Sequence, residues 1–179
     1  MEEKTLKSQK IYEGKIVTLR LDTVELPDKK YSKREIVEHS GAAAVVPVTT
    51  EGNVIVVKQY RKPVETVLLE IPAGRLEQDE DPETCARREL AEETGYSTDH
   101  LEKILDYYTS PGFSDEIIHI YLAHNLEEGK AKPDEDEYLE VIEIPFDELL
   151  QKIMDGEIKD SKTVIGILAA DRILKTRNK

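Results

Sequence analysis

The sequence has no tryptophan, only two phenylalanines, and a single cysteine, Cys85, among its 179 residues. One thiol cannot close an internal disulfide, so a reducing compartment is the expectation. No apolar run is long enough to cross a bilayer. The first ten residues, MEEKTLKSQK, lack the apolar stretch of a secretory leader, and a cytoplasmic protein is expected. Positive charge is scarce as well. Lys and Arg number 25 against 38 Asp and Glu, a net charge of −13. This balance argues against binding DNA or RNA polymers, which takes a basic face, and against anionic membranes. Small anionic ligands stay open, because a metal ion can mediate between acidic side chains and phosphate.

Apolar and polar residues alternate in KIVTLRLDTVEL (residues 15–26), the pattern of a strand with one buried face. KREIVEHSG reads as a second, weaker strand. Two strands are too little to fold alone, so residues 1–40 are expected to form an N-terminal β appendage that packs on something else, a second subunit being one candidate. Residues 41–179 hold the main domain. AAAVVPVTT, EGN and VIVVKQYR suggest a buried hairpin turning at Gly52 and Asn53, and TVLLEIPAG another strand. DPETCARRELAEETG reads as a helix, with Asp81 as N-cap, Pro82 at its first position and Gly95 as its stop. KILDYY and EIIHIYLA are strands on either side of TSPGFSD. An acidic loop, DEDEYLEVIEIP, runs into a strand, and two helices close the chain. Strands interleaved with a few helices predict a layered α/β or α+β domain.

One stretch of that helix, RRELAEETGY, is unusual. Glu89, Glu92 and Glu93 stand at i, i+3 and i+4 and so share one helical face. Like charges at this spacing destabilise a helix by a few tenths of a kcal/mol per pair, and the C-terminal end of the dipole adds to the penalty. A solvated acidic face explains this as readily as a function does. The surroundings favour function. Arg88 neutralises only part of the cluster, through Glu92 at i+4, and a strand ending in EIPAG precedes it. Carboxylates converging with loop carbonyls form a hard-oxygen site suited to Mg²⁺ or Mn²⁺.

GRLEQDEDPETCARRELAEETGY resembles the Nudix box, G-x5-E-x7-R-E-U-x-E-E-x-G-U with U aliphatic. The matches are Gly74, Glu80, Arg88, Glu89, Leu90, Glu92, Glu93 and Gly95. Tyr96 stands where an aliphatic residue is usual, at a packing position. The strand order around the box also fits the Nudix α/β/α sandwich with a mixed sheet. The resemblance implies a loop–helix–loop that binds divalent metal. Glu89 and Glu93 would be its main ligands, Glu92 would assist in binding and catalysis, and the Ala73 carbonyl would add a donor. Arg88 would orient the carboxylates and Glu80 support the loop, with Gly74 and Gly95 shaping the site. The implied reaction is hydrolysis of a nucleoside diphosphate linked to another group, water attacking one phosphorus.

Three features outside the box resemble the branch of the family that hydrolyses ADP-ribose. SPGFSDE places Pro111, followed by Gly112, 16 residues after Gly95, a good match to that branch; the alternative is an ordinary Pro-Gly turn between strands. KQYRKP resembles the strand end that supplies an arginine to the substrate, here Arg61, at the diphosphate or the terminal ribose phosphate side, where its planar fork suits phosphate oxygens; Glu70 in EIPAG belongs to the same pattern. KPDEDEYLEV resembles the loop carrying the catalytic base, for which Glu137 is the candidate and Glu135 the runner-up. In this branch the N-terminal segment joins a homodimer and helps recognise adenine and ribose. Arg20 and Arg34 are candidates there, with Tyr12 or Tyr31 for stacking in a chain without tryptophan. Another nucleotide sugar such as GDP-mannose is the nearest alternative substrate. A fold that only senses nucleotides is a further one, disfavoured because every box carboxylate is present. The four histidines form no ligand spacing, and Cys85 reads as a small packed residue.

Overall fold

The computed structural model describes residues 1–132 and 138–177, and the chain forms two units. One comprises residues 1–41 with 107–117, the other residues from 42 to 106 and from 118 on. The first unit is an antiparallel meander of β1 (Lys4–Glu13), β2 (Thr18–Glu25) and β3 (Tyr31–Glu38), in that order. Of the side chains that point inward, only Asp22 and Val24 are fully buried. The segment 107–117 joins this unit through backbone bonds, Val37 N–H to the Phe113 carbonyl at 2.7 Å and Asp115 N–H to the Val37 carbonyl at 3.3 Å.

Side-chain alternation marks β2 and β3 but not β1, every residue of which is exposed. Backbone pairing to β2, broken by irregularities at Thr5–Lys7 and Lys10–Tyr12, alone makes it a strand.

The second unit is built around β4 (Ala42–Pro47), all six residues of which are buried. An unbroken apolar run of this kind marks a strand covered on both faces. Its parallel neighbour is β10 (Ile117–His124) and its antiparallel neighbour β7 (Ala73–Arg75); β9 (His100–Tyr108) completes the mixed sheet β7-β4-β10-β9. Ala43 and Val45 of β4, with Tyr121 and Ala123 of β10, meet Cys85, Ala86 and Leu90 of the box helix. On the other face, Val46, Ile71 and Ile120 surround Gly166 of α3 (Ser161–Arg177) so closely that a methyl group there would lie 3.0 Å from Ile71 Cδ1. Helix, sheet and helix are thus layered on β4, and the fold is α+β with a mixed sheet.

A second sheet, β12 (Leu139–Pro145), β5 (Asn53–Arg61) and β6 (Thr66–Glu70), is antiparallel throughout, and α2 (Phe146–Met154) packs against β5 and β12. A two-residue ladder joins β8 (Tyr96–Ser97) to β11 (Glu127–Glu128). The expected hairpin of β4 and β5 is not formed as a pair. Apart from one bridge between Val48 and Val54 the two strands part into different sheets. Both are continuous apolar runs, and the parallel partner that captures β4 lies far along the chain, where local pattern gives no sign of it. The EIPAG strand also changes sheet, β6 ending at Glu70 and β7 beginning at Ala73.

Candidate metal and phosphate site

Asp81 caps α1 (Pro82–Glu89), its Oδ2 accepting from Glu83 N–H at 3.0 Å and Thr84 N–H at 3.2 Å, and Pro82 occupies the first position. The helix does not run regularly to Gly95. Leu90–Thr94 form one π-helical turn, a local widening that recurs at functional sites and has no sequence signature. Gly95 ends it with φ 78°, and a Cβ there would stand 2.6 Å from Ala131 N. Glycine is required by both the backbone and the approach of the 129–132 segment. That segment is tied back by Gly129 N–H to the Gly95 carbonyl and Lys132 N–H to the Glu92 carbonyl, each 2.8 Å.

Arg88 is the hub of the box. Its Nε and Nη2 bind the two oxygens of Glu80, each at 2.9 Å, and Nη1 binds Glu89 Oε1 at 2.5 Å and Glu92 Oε2 at 3.1 Å. Nη2 also reaches the Arg75 carbonyl at 3.1 Å. Repulsion between the glutamates costs about 0.2–0.5 kcal/mol per pair, while one charge-assisted bond contributes about 1.5–3 kcal/mol, so the guanidinium outweighs the penalty. Its hydrogen bonds, those to Glu80 first, raise the Arg88 pKa. The same bonds hold the Glu80 carboxyl down at about 2 against an ordinary 4.5. Glu80 Oε2 also accepts from Glu77 N–H at 2.9 Å, which ties the loop to the helix.

Glu89 and Glu93 are buried, Glu93 to 3 % exposure. Glu93 Oε2 accepts from Ala73 N–H at 3.0 Å. Glu89 lies against Gly74 so closely that a Cβ on Gly74 would come within 1.8 Å of Oε1. The strand backbone and the two carboxylates are therefore in direct apposition. Glu92 is the more open of the three, with its side chain 41 % exposed. Cys85 is fully buried. Its Sγ lies 3.4 Å from the Arg75 carbonyl, and burial pushes the thiol up to about 12. It is a packed, protonated group.

Among the described residues no three imidazole, thiol or carboxylate groups converge to enclose a metal ion by themselves. Mg²⁺ does not need such a cage, since it takes one or two carboxylates and fills its shell with water and phosphate. Two buried carboxylates beside a strand backbone, all hard oxygen donors, fit that ion.

Arg61, at the end of β5, forms a second cluster. Its Nε and Nη2 bind the oxygens of Glu70 at 2.8 and 2.7 Å. Glu70 is 1 % exposed, and Lys162 Nζ binds its Oε2 as well. Burial works to raise the Glu70 carboxyl, but Arg61 and Lys162 outweigh it and hold it below the usual range. The Arg61 pKa is raised, by the Glu70 bonds first and to a lesser degree by the nearby charge of Glu93. Lys162 was not foreseen; DSKT read only as the start of a helix.

Arg20 and Arg34 lie on the meander of the first unit, each already engaged. Arg20 binds Asp22 at 3.0 Å and also Glu38, and Arg34 binds both oxygens of Glu3 at 2.9 and 2.6 Å. Pro111 and Gly112 are exposed in a turn closed by Phe113 N–H to the Ser110 carbonyl at 3.0 Å. Glu137 and Glu135 lie outside the described residues.

The family described as NUDIX domain matches residues 38–164, and the nucleoside diphosphate sugar hydrolase N-terminal domain matches residues 3–37. The chain is 52 % identical to a methanol dehydrogenase activator of Bacillus methanolicus, over 93 % of this chain and 91 % of that protein. It is 51 % identical to an ADP-ribose pyrophosphatase of Bacillus subtilis (strain 168), with the same coverage. A crystal structure of an ADP compounds hydrolase superposes with a TM-score of 0.87 at 19 % identity, over 99 % of this chain and 96 % of the other, a likeness of fold.

Proposed function

The chain belongs to the Nudix family of hydrolases, and from that premise we propose that it cleaves ADP-ribose to AMP and ribose 5-phosphate with Mg²⁺ or Mn²⁺ held at the box helix. The observation that carries the chemistry is the gathering of carboxylates at Arg88, with buried Glu89 and Glu93 set against the backbone of Ala73 and Gly74. The observation that favours ADP-ribose is the 51 % identity to a protein of that name.

Glu89 and Glu93 would hold the metal, the Ala73 carbonyl would add a donor, and the more exposed Glu92 would assist. When bound, the ion supplies positive charge against the phosphoryl oxygens. Arg88 keeps the carboxylates in place and, already committed to three of them, does not serve the substrate. Arg61, with its side chain 39 % exposed, would bind the diphosphate through the N–H groups that Glu70 does not use. Glu137, or failing it Glu135, would take the proton of the attacking water; Lys132, just ahead of that acidic run, is tied to the Glu92 backbone. Pro111 and Gly112 would take part in substrate binding. Arg20 and Arg34 would read adenine and ribose only by exchanging their present carboxylate partners.

The reading includes a cytoplasmic homodimer. The support for the dimer is β1, a ten-residue edge strand carrying exposed Leu6, Ile11 and Tyr12, the kind of edge that a second copy covers.

Initial rates with ADP-ribose, GDP-mannose, NADH and dATP, with and without Mg²⁺, test the proposal. The largest kcat/KM for ADP-ribose, dependent on metal, is expected. Faster turnover of GDP-mannose moves the substrate to another nucleotide sugar. No turnover of any diphosphate overturns the enzyme reading.

A further inference from the structure

Glu70 is a buried carboxylate shared by two cations, whereas a single bidentate arginine would already answer its charge. The second cation, Lys162, comes from the first turn of α3, 92 residues away in sequence. Lys162 is itself fixed by Asp160 Oδ1 at 3.0 Å. Asp160 Oδ2 in turn accepts from Thr163 N–H at 3.0 Å and Thr163 Oγ1 at 2.6 Å. Thr163 Oγ1 accepts from Ile71 N–H at 2.9 Å. The helix start therefore grips two consecutive residues, the Glu70 side chain and the Ile71 backbone, just before the strand that meets Glu93 at Ala73.

A buried ion pair is weak evidence for a stabilising role, because apolar residues of similar volume serve as well. The geometry has a different consequence. The carboxylate plane of Glu70 sets the plane of the Arg61 fork, and Lys162 sets the carboxylate. Lys162 is itself answered by Asp160, so the cluster is balanced, and what the lysine supplies is placement: the guanidinium is held with part of its edge open, its side chain 39 % exposed.

We propose that Lys162 is a positioning residue for substrate binding, acting through Glu70 on Arg61. This rests on the reading of Arg61 as the diphosphate anchor. Lys162→Met takes a cation from Asp160 as well as from Glu70, but Glu70 keeps both Arg61 bonds and Asp160 both Thr163 bonds, so a lower Tm is expected and KM is the readout that decides. KM for ADP-ribose is expected to rise about tenfold with kcat changed less than about threefold, the mark of lost uniform binding. Lys162→Arg is expected to restore most of the affinity. The double variant Arg61→Met/Lys162→Met should bind no worse than Arg61→Met alone, since the lysine acts through the arginine. A KM that Lys162→Met leaves unchanged, whatever happens to Tm, assigns Lys162 to structure and overturns the proposal. Additive losses in the double variant do the same.

Calorimetric titration of inorganic pyrophosphate into the metal-free protein separates this test from the choice of substrate. Weaker binding in both Arg61→Met and Lys162→Met supports the relay even if ADP-ribose proves a poor substrate. Failure of the wild-type protein to bind pyrophosphate removes the anchor and the relay with it.

Discussion

The Arg88 and Arg61 clusters use the same fork geometry for opposite ends. Around Arg88, Glu80, Glu89 and Glu92 all accept from one guanidinium, and Glu93 lies on the same turn. Around Arg61, Glu70 and Asp160 are matched by Arg61 and Lys162. The first cluster gathers three carboxylates on one guanidinium, hard-oxygen groups of the kind a divalent cation takes. The second is balanced, and its arginine is held in place with part of its edge open. Neighbouring clusters of this kind suit a ligand that brings phosphate to a metal, with a cation site on one side and an anion anchor on the other.

The comparison breaks most severely at the acidic cluster. Glu89→Gln is expected to lower kcat by about 10³-fold with some loss of Tm, because the charge-assisted bond from Arg88 is worth more than the repulsion relieved; rate assays and thermal melting on the same sample check both. Next is the unequal number of cations. Arg88→Met takes from Glu80, Glu89 and Glu92 the guanidinium they share and should cost about 3 kcal/mol, whereas Lys162→Met, which leaves Glu70 its Arg61 bonds and Asp160 its Thr163 bonds, should cost about half as much. Urea unfolding of the two variants sharpens or erases the contrast.

The smallest effect is a pH dependence. Glu80 titrates at about 2 when folded and near 4.5 otherwise. A depressed carboxyl contributes its stability in full above pH 4.5 and loses it as the pH falls from there toward 2. Glu80→Gln should cost about 1 kcal/mol at neutral pH, and the gap to wild type should close through that acid window in pH-dependent melting.

What could be read in the sequence divides along the same physical lines. The box was legible because its residues act over one or two helical turns, so that spacing alone brings Arg88 to Glu92 and aligns Glu89 with Glu93. The cap at Asp81 and the stop at Gly95 are equally local. The π-turn at Leu90–Thr94 was not, since it arises from the backbone's fit to its surroundings. β1 has no apolar period to betray it. The pairing of β4 with β10 and the grip of Lys162 on Glu70 are products of topology, linking residues that only the folded chain brings together. Arg61 and Glu70 were both singled out, yet their direct bond, and the lysine that completes it, needed the fold.

The most direct test of the account is a Mn²⁺ titration followed by electron paramagnetic resonance, on wild type and on Glu89→Gln/Glu93→Gln, without substrate. A saturable loss of free Mn²⁺ signal is expected in the wild-type protein and none in the double variant. Equal uptake by the two proteins would mean that the carboxylates facing Gly74 are not the cation site.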